Sequence, residues 1–280
     1  MDIGLKGVHV LVTGASGGIG LATVRAFAEQ GAHVTAHYNT NNKTLGPVQA
    51  DYENSVQAIQ ADLTNEDQVK ALFQKAYSGT GQGSTTFGPI QVLIVNHAIY
   101  NDVSSPIADM SLDQWNATLT SNLTSTFLVV REYLARLREA LESKAEDAAV
   151  VLIGSTAGKY GEAGHTDYAA SKSAMMYGLT MSLKNEIVKI APKGRVNCVA
   201  PGWVKTPMAE KSLKDPDVVY RALASTPLKK VATPEDVARQ VLVLSSRYLS
   251  GHVTGQVVMV EGGMEGRLLN SRADVGLPEK

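Results

Sequence analysis

Short apolar runs alternate with longer amphipathic stretches along almost the whole chain, and that alternation allows very few folds. The runs lie at residues 8–13, 33–37, 55–60, 91–95, 149–153, 195–199 and 257–260. Between them, apolar residues recur at helical spacing, as at Val69, Leu72, Phe73 and Ala76 within residues 67–77. Such an order predicts an α/β protein built on a doubly wound parallel seven-stranded sheet, with helices on both faces. Helices are expected over residues 20–30, 67–77, 112–138 (with an early break), 167–190 and 234–244. Gly31 suits the C-terminal cap of the first. Thr233 and Pro234 suit the N-cap and first position of the last. Residues 39–51 have room only for a stunted helix, and 78–89 read as a Gly, Ser and Thr-rich loop. The expected organisation is one domain over residues 1–264, with a tail at 265–280 that either reaches over a neighbouring subunit or is disordered.

Bulk properties narrow the function classes. The chain has 280 residues, 44% of them apolar, enough for one substantial core. A net charge of −1 gives no electrostatic signature of nucleic-acid binding. The single cysteine, Cys198, excludes an internal disulfide and reads as a buried strand residue. The six histidines lack ligand spacing, so no metal site is expected. No segment approaches the roughly 18 uninterrupted apolar residues of a membrane span. Neither end carries a recognisable address, so a soluble cytoplasmic protein without a membrane partner is expected.

The turn between the first run and the first helix reads Thr13-Gly14-Ala15-Ser16-Gly17-Gly18-Ile19-Gly20. Glycines there allow a tight turn and close backbone approach to a phosphate, and the helix start offers unpaired amides. Its place between strand and helix makes it a candidate dinucleotide cradle. A second constellation joins Tyr168 and Lys172, four residues apart, with Ser155 thirteen residues upstream. On a helix, residues i and i+4 share a face. An ammonium there favours the phenolate, so Lys172 is expected to lower the Tyr168 pKa and ready it for acid–base work.

Six motifs in order make the chain resemble the single-domain short-chain dehydrogenase/reductase family from about residue 7 to 264. They are the Gly14, Gly18, Gly20 loop; Asp62-Leu63; Asn96-His97-Ala98; Asn122; the Ser155, Tyr168, Lys172 set; and Pro201-Gly202-Trp203-Val204-Lys205-Thr206. The resemblance implies a Rossmann-type fold and catalytic roles for Asn122, Ser155, Tyr168 and Lys172. Ser155 would hold the substrate oxygen, and Tyr168 would exchange its proton. Lys172 would also bind the nicotinamide ribose, and Asn122 would hold a water behind the lysine. Cofactor contacts are implied for Gly14, Ser16, Gly17, Gly18, Ile19 and Gly20, for Asp62 and Leu63 at the adenine, and for Asn96 and Ala98. Tyr168, Lys172, Pro201, Gly202, Val204 and Thr206 complete that set. The chain departs from the family pattern at His97, read as structural, and at Ile99.

The second strand ends without a carboxylate: no acid lies between Glu29 and Asp51. Asn39, Thr40 and Lys43 would suit a 2′-phosphate, so NADP(H) is preferred and NAD(H) possible. The leading reading is an NADP(H)-dependent carbonyl reductase or alcohol dehydrogenase acting on a small-molecule carbonyl or alcohol, with a 3-oxoacyl-thioester reductase-like role as one form. Alternatives are a sugar or polyol dehydrogenase using NAD(H), or a non-catalytic dinucleotide-sensing protein. Specificity should come from loops at 100–110, 159–166 and 208–228, which with Trp203 hold Tyr100, Tyr160, Met208 and Leu228. Relatives often form tetramers or dimers through their long helices, so a homo-oligomer is implied.

Overall fold

The computed structural model describes residues 2–78, 86–140, 148–264 and 270–278. Seven parallel strands form one sheet: β1 His9–Val12, β2 His33–Tyr38, β3 Val56–Gln60, β4 Val92–Val95, β5 Ala149–Ile153, β6 Arg195–Pro201 and β7 Val257–Val260. Their order is β3-β2-β1-β4-β5-β6-β7. The chain reverses direction across the sheet between β1 and β4, which places a crevice at the carboxyl ends of those strands.

Both faces of the sheet are covered, which is why strands such as β4 and β5 read as unbroken apolar runs rather than alternating ones. Leu11, Leu93, Val150, Leu152, Val196 and Cys198 point to one core, while Val10, Val12, Val34, Ile94, Val151 and Val199 point to the other. The first core packs against helices α3 Glu66–Ser78 and α5 Ser125–Glu139. The second packs against α1 Gly18–Glu29 and the helix Pro234–Ser245. That last helix opens with a reciprocal capping box between Thr233 and Asp236. Its far end is held by Arg195, a buried guanidinium donating to the Leu244 and Ser245 carbonyls.

The two long helices differ from a plain α pattern in the same way. The first runs as α4 Leu112–Leu119, a π-turn Thr120–Thr124 and α5; the break expected early in it is this widened turn. The second runs Thr166–Ser173, a π-turn Ala174–Leu179 and Thr180–Ile187. It ends short of the expected residue 190. The extra residue in each π-turn redirects the side chains that follow it. The stunted helix is Gly46–Asp51. Helices Thr156–Tyr160, Pro216–Ala224 and Arg247–Ser250 were not anticipated; each is short, and short helices carry little periodicity.

Part of the expected 78–89 loop and of the 265–280 tail lies outside the described residues. Residues 270–278 return to their own chain. Asn270 Nδ2 donates to the Leu223 and Thr226 carbonyls at 2.7 and 3.0 Å. Arg272 pairs with Asp217 at 3.2 Å and lies over the Tyr220 ring. This stretch therefore braces the helix Pro216–Ala224 beside the crevice.

Candidate active site

The crevice is a cleft of about 690 Å³ running from the glycine loop to Tyr168. At its floor Gly14 turns at φ +61°, and a Cβ there would sit 2.8 Å from the His97 backbone. Only glycine fits both the angle and the space. A Cβ on Gly20 would run into the Gly14 carbonyl. Gly20 thus lies beneath the loop and lets the helix approach it, without itself lining the cleft. Asn96 stitches the loop down, donating from Nδ2 to the Thr13 and Gly14 carbonyls at 3.1 and 2.9 Å.

A buried histidine, His37, and a half-buried one, His97, complete this support. His37 Nδ1 accepts from the Gly14 amide at 3.1 Å while Nε2 donates to the Ala61 carbonyl at 2.9 Å. His97 spans Thr13 Oγ1 and Ser125 Oγ, at 2.8 and 2.7 Å. Burial keeps both neutral, lowering His37 to about 4 and His97 to about 3. His97 therefore serves as a crossbrace between the loop and the start of α5. His37 escaped the sequence reading; the available signal was a polar residue inside a strand buried on both faces.

At the other end, Ser155 caps the helix Thr156–Tyr160. Its Oγ accepts from the Ala157 amide at 3.1 Å, which leaves its proton free for an acceptor in the cleft that it lines together with Tyr168. Tyr168 lies in the helix Thr166–Ser173, one turn before Lys172. Lys172 Nζ is 5.7 Å from the phenol ring centre and donates to the Ile153 carbonyl at 2.8 Å. Asp167 anchors this helix to α4: its Oδ2 accepts from Thr118 Oγ1 at 2.6 Å and from Gln114 Nε2 at 3.3 Å. The expected lowering of Tyr168 by Lys172 is corrected here. Burial pushes the phenol up to about 12, with the Ser155 hydrogen bond opposing it, and burial draws Lys172 down to about 8. Lys172 is buried and Tyr168 half-buried, so each favours its neutral form.

Of the residues singled out in the sequence, Gly14, Ser16, Gly17, Gly18, Ile19, Asn39, Thr40, Asp62, Leu63, Asn96 and Ala98 line the cleft. So do Ser155, Tyr168, Lys172, Pro201, Gly202, Val204 and Thr206. Besides Gly20, two lie off it. Lys43 does not line it, and Asn41 does, its Oδ1 accepting from the Lys43 amide at 3.0 Å. Asn122 sits behind the wall in the first π-turn. Its amide clamps both backbone groups of Ile99, at 2.8 and 3.0 Å, and reaches Ser171 Oγ. That clamp holds the segment where Ile99 departs from the family pattern.

The cleft suits a dinucleotide on its own chemistry. The amides of Gly18, Ile19 and Gly20 have no backbone acceptor among the described residues, and they open a 12-residue helix. Lys172 is almost fully buried with one hydrogen-bond acceptor for three donors. Near the end of β2 the lining is Asn39, Thr40 and Asn41, without a carboxylate. Asp62 stands further along, its Oδ1 taken by Thr64, whose hydrogen bonds hold the carboxyl below its ordinary range.

Comparison with known proteins agrees with this geometry. Residues 14–265 match the family described as enoyl-(acyl carrier protein) reductase. The chain belongs to the short-chain dehydrogenase/reductase family. It is 33% identical to the 3-oxoacyl-[acyl-carrier-protein] reductase FabG of Chlamydia pneumoniae, over 94% of this chain and 99% of that protein. It is 30% identical to 3beta-hydroxysteroid dehydrogenase 1 of Eggerthella lenta, over 93% of this chain and 94% of the relative. A crystal structure from Brucella melitensis, described as a short-chain dehydrogenase/reductase of the glucose/ribitol dehydrogenase type, superposes with a TM-score of 0.81 at 29% identity. It is matched over its whole length and 95% of this chain. As a short-chain dehydrogenase/reductase, the protein is an oxidoreductase with a Rossmann-type sheet.

Proposed function

We propose that this short-chain dehydrogenase/reductase is an NADP(H)-linked carbonyl reductase and alcohol dehydrogenase, with Ser155, Tyr168 and Lys172 as its catalytic residues. The observation that carries the reading is that Ser155, the half-buried Tyr168 phenol and the buried Lys172 ammonium line one cleft, with Lys172 one helical turn beyond Tyr168. The bound nicotinamide supplies or accepts the hydride. Ser155 orients the substrate oxygen, and Tyr168 donates its proton to that oxygen during reduction. A phenol held near 12 stays protonated across the neutral range, the form a donor needs. Lys172, with donors to spare, would hold ribose hydroxyls, and the amides of Gly18 and Ile19 would meet the pyrophosphate. Asn122 acts through Ile99 and Ser171 as a positioning residue.

NADP(H) preference is supported by the carboxylate-free Asn39–Thr40–Asn41 edge. A second reading, an NAD(H)-linked polyol dehydrogenase, has its own support. Lys172 is the only lysine or arginine among the described residues lining the cleft, which leaves no cation for a 2′-phosphate. Specificity constants with NADPH and NADH decide between them: a preference for NADH defeats the first. The Tyr168→Phe protein should still bind cofactor but lose turnover by orders of magnitude, and near-normal turnover would sink the mechanism. Self-association is proposed through the long helices, on which Leu112, Phe127 and Tyr177 are exposed.

A further inference from the structure

Among the described residues, the substrate half of the cleft contains one carboxylate, Glu162, in a surround that is otherwise largely apolar: Ile99, Tyr160, Trp203, Met208 and Met264. Its Oε1 accepts from the Tyr100 phenol at 2.9 Å. Tyr100 is itself fixed from two sides. It stacks on His165 with ring centres 4.6 Å apart, and it meets the Tyr168 ring edge-on at 5.1 Å. Glu162 is thus tied through one rigid aromatic residue to the proposed proton donor. Its Oε2 has no hydrogen-bond donor among the described residues, and the side chain is only partly exposed.

A carboxylate so placed discriminates by sign. It accepts a hydrogen bond from a donor on the substrate, and it repels an anion. Burial and Glu162 together hold Tyr100 well above the usual phenol range, so that phenol remains a donor to Oε1 and leaves Oε2 for the ligand. Resting on the carbonyl reductase reading above, we infer that Glu162 Oε2 selects substrates that carry a hydrogen-bond donor, a hydroxyl or a protonated amine, on the same small molecule as the reacting carbon. Apolar neighbours would cover the rest of that molecule. Ketoacids and other anionic carbonyl compounds would be rejected.

The test uses stable alcohols in the oxidation direction with the full-length protein and its preferred cofactor. The probes are cyclohexanol, cyclohexane-1,2-diol, 2-aminocyclohexanol and 2-hydroxycyclohexanecarboxylate. The expected ratio of kcat/KM for diol over cyclohexanol is about tenfold or more, as for a hydrogen bond to a charged group. That ratio should fall by about the same factor in Glu162→Ala and in Glu162→Gln, which keeps an acceptor for Tyr100. Using a ratio cancels any effect of Glu162 on Tyr168 itself. A larger ratio for the amine than for the diol assigns the donor as a cation, and the reverse assigns a hydroxyl. Preference for the carboxylate probe, or ratios unmoved in both variants, overturns the inference and leaves the hydride-transfer reading standing. Absence of turnover with every probe, including in the unaltered protein, overturns that reading and the inference with it.

Discussion

Lowering the pH from 7.5 to 5 should bring this protein close to unfolding, because two buried histidines and the half-buried His97 are held as neutral rings. His9 is held between the Gly88 carbonyl and Thr35 Oγ1, both at 2.8 Å, and burial lowers it to about 4. His37 and His97 lie under the glycine loop, at about 4 and about 3. In the unfolded chain each returns to an ordinary value near 6.5. Between the two values the unfolded state binds more protons, so stability rises with pH there and is lost as pH falls. At pH 5 the loss is about 2 kcal/mol for each ring, or about 6 kcal/mol in all. Folded domains have only about 5–15 kcal/mol in hand. The glycine loop should loosen first, since a proton on His37 Nδ1 would turn the acceptor of the Gly14 amide into a donor. Urea melts at half-unit steps of pH would measure the slope, expected to be near three protons at pH 5.5. His97→Asn should reduce that slope by about one. A stability that changes by less than about 1 kcal/mol between pH 7.5 and 5.5 would refute the reasoning, as would imidazole NMR shifts that titrate near 6.5 in the folded protein.

Other outcomes follow from single contacts. Burial that lowers Lys172 to about 8 makes the unfolded chain the better proton binder from there up to the ordinary lysine value. Stability should therefore climb with pH across that window, and Lys172→Met should flatten the climb in denaturant melts. Alcohol oxidation needs the Tyr168 phenolate, so its kcat should rise steadily above pH 8 while carbonyl reduction does not; parallel pH–rate profiles check this. Arg195→Met removes the donors that hold the end of the helix Pro234–Ser245, and a loss of about 2–4 kcal/mol is expected by calorimetry or urea melts. Arg272→Ala frees the stretch that braces the helix Pro216–Ala224; hydrogen exchange there should quicken without change in the sheet.

The parallel sheet was legible because strands buried on both faces must be apolar along their whole length, and the helices between them must repeat every three to four residues. The 8–13 and 149–153 runs show this directly. The glycine loop and the Tyr168, Lys172 pair were legible because local backbone geometry alone brings such residues to one turn or one helix face; Ser155 was marked by the family resemblance. Values that depend on surroundings were not. Nothing local to Tyr168 and Lys172 says that both are dehydrated, and dehydration outweighs their mutual attraction. Lys43 reads as a cation near the second strand, yet the turn of the chain puts Asn41 on the cleft. Glu162 looks like an ordinary loop acid until Tyr100, sixty-two residues earlier, is folded against it. The sequence by itself determined the order of elements, the class of reaction and the residues that are neighbours along the chain. Tertiary structure alone decided which charges lose their water and which distant side chains meet, because burial and long-range contact are properties of the packed chain and of no segment within it.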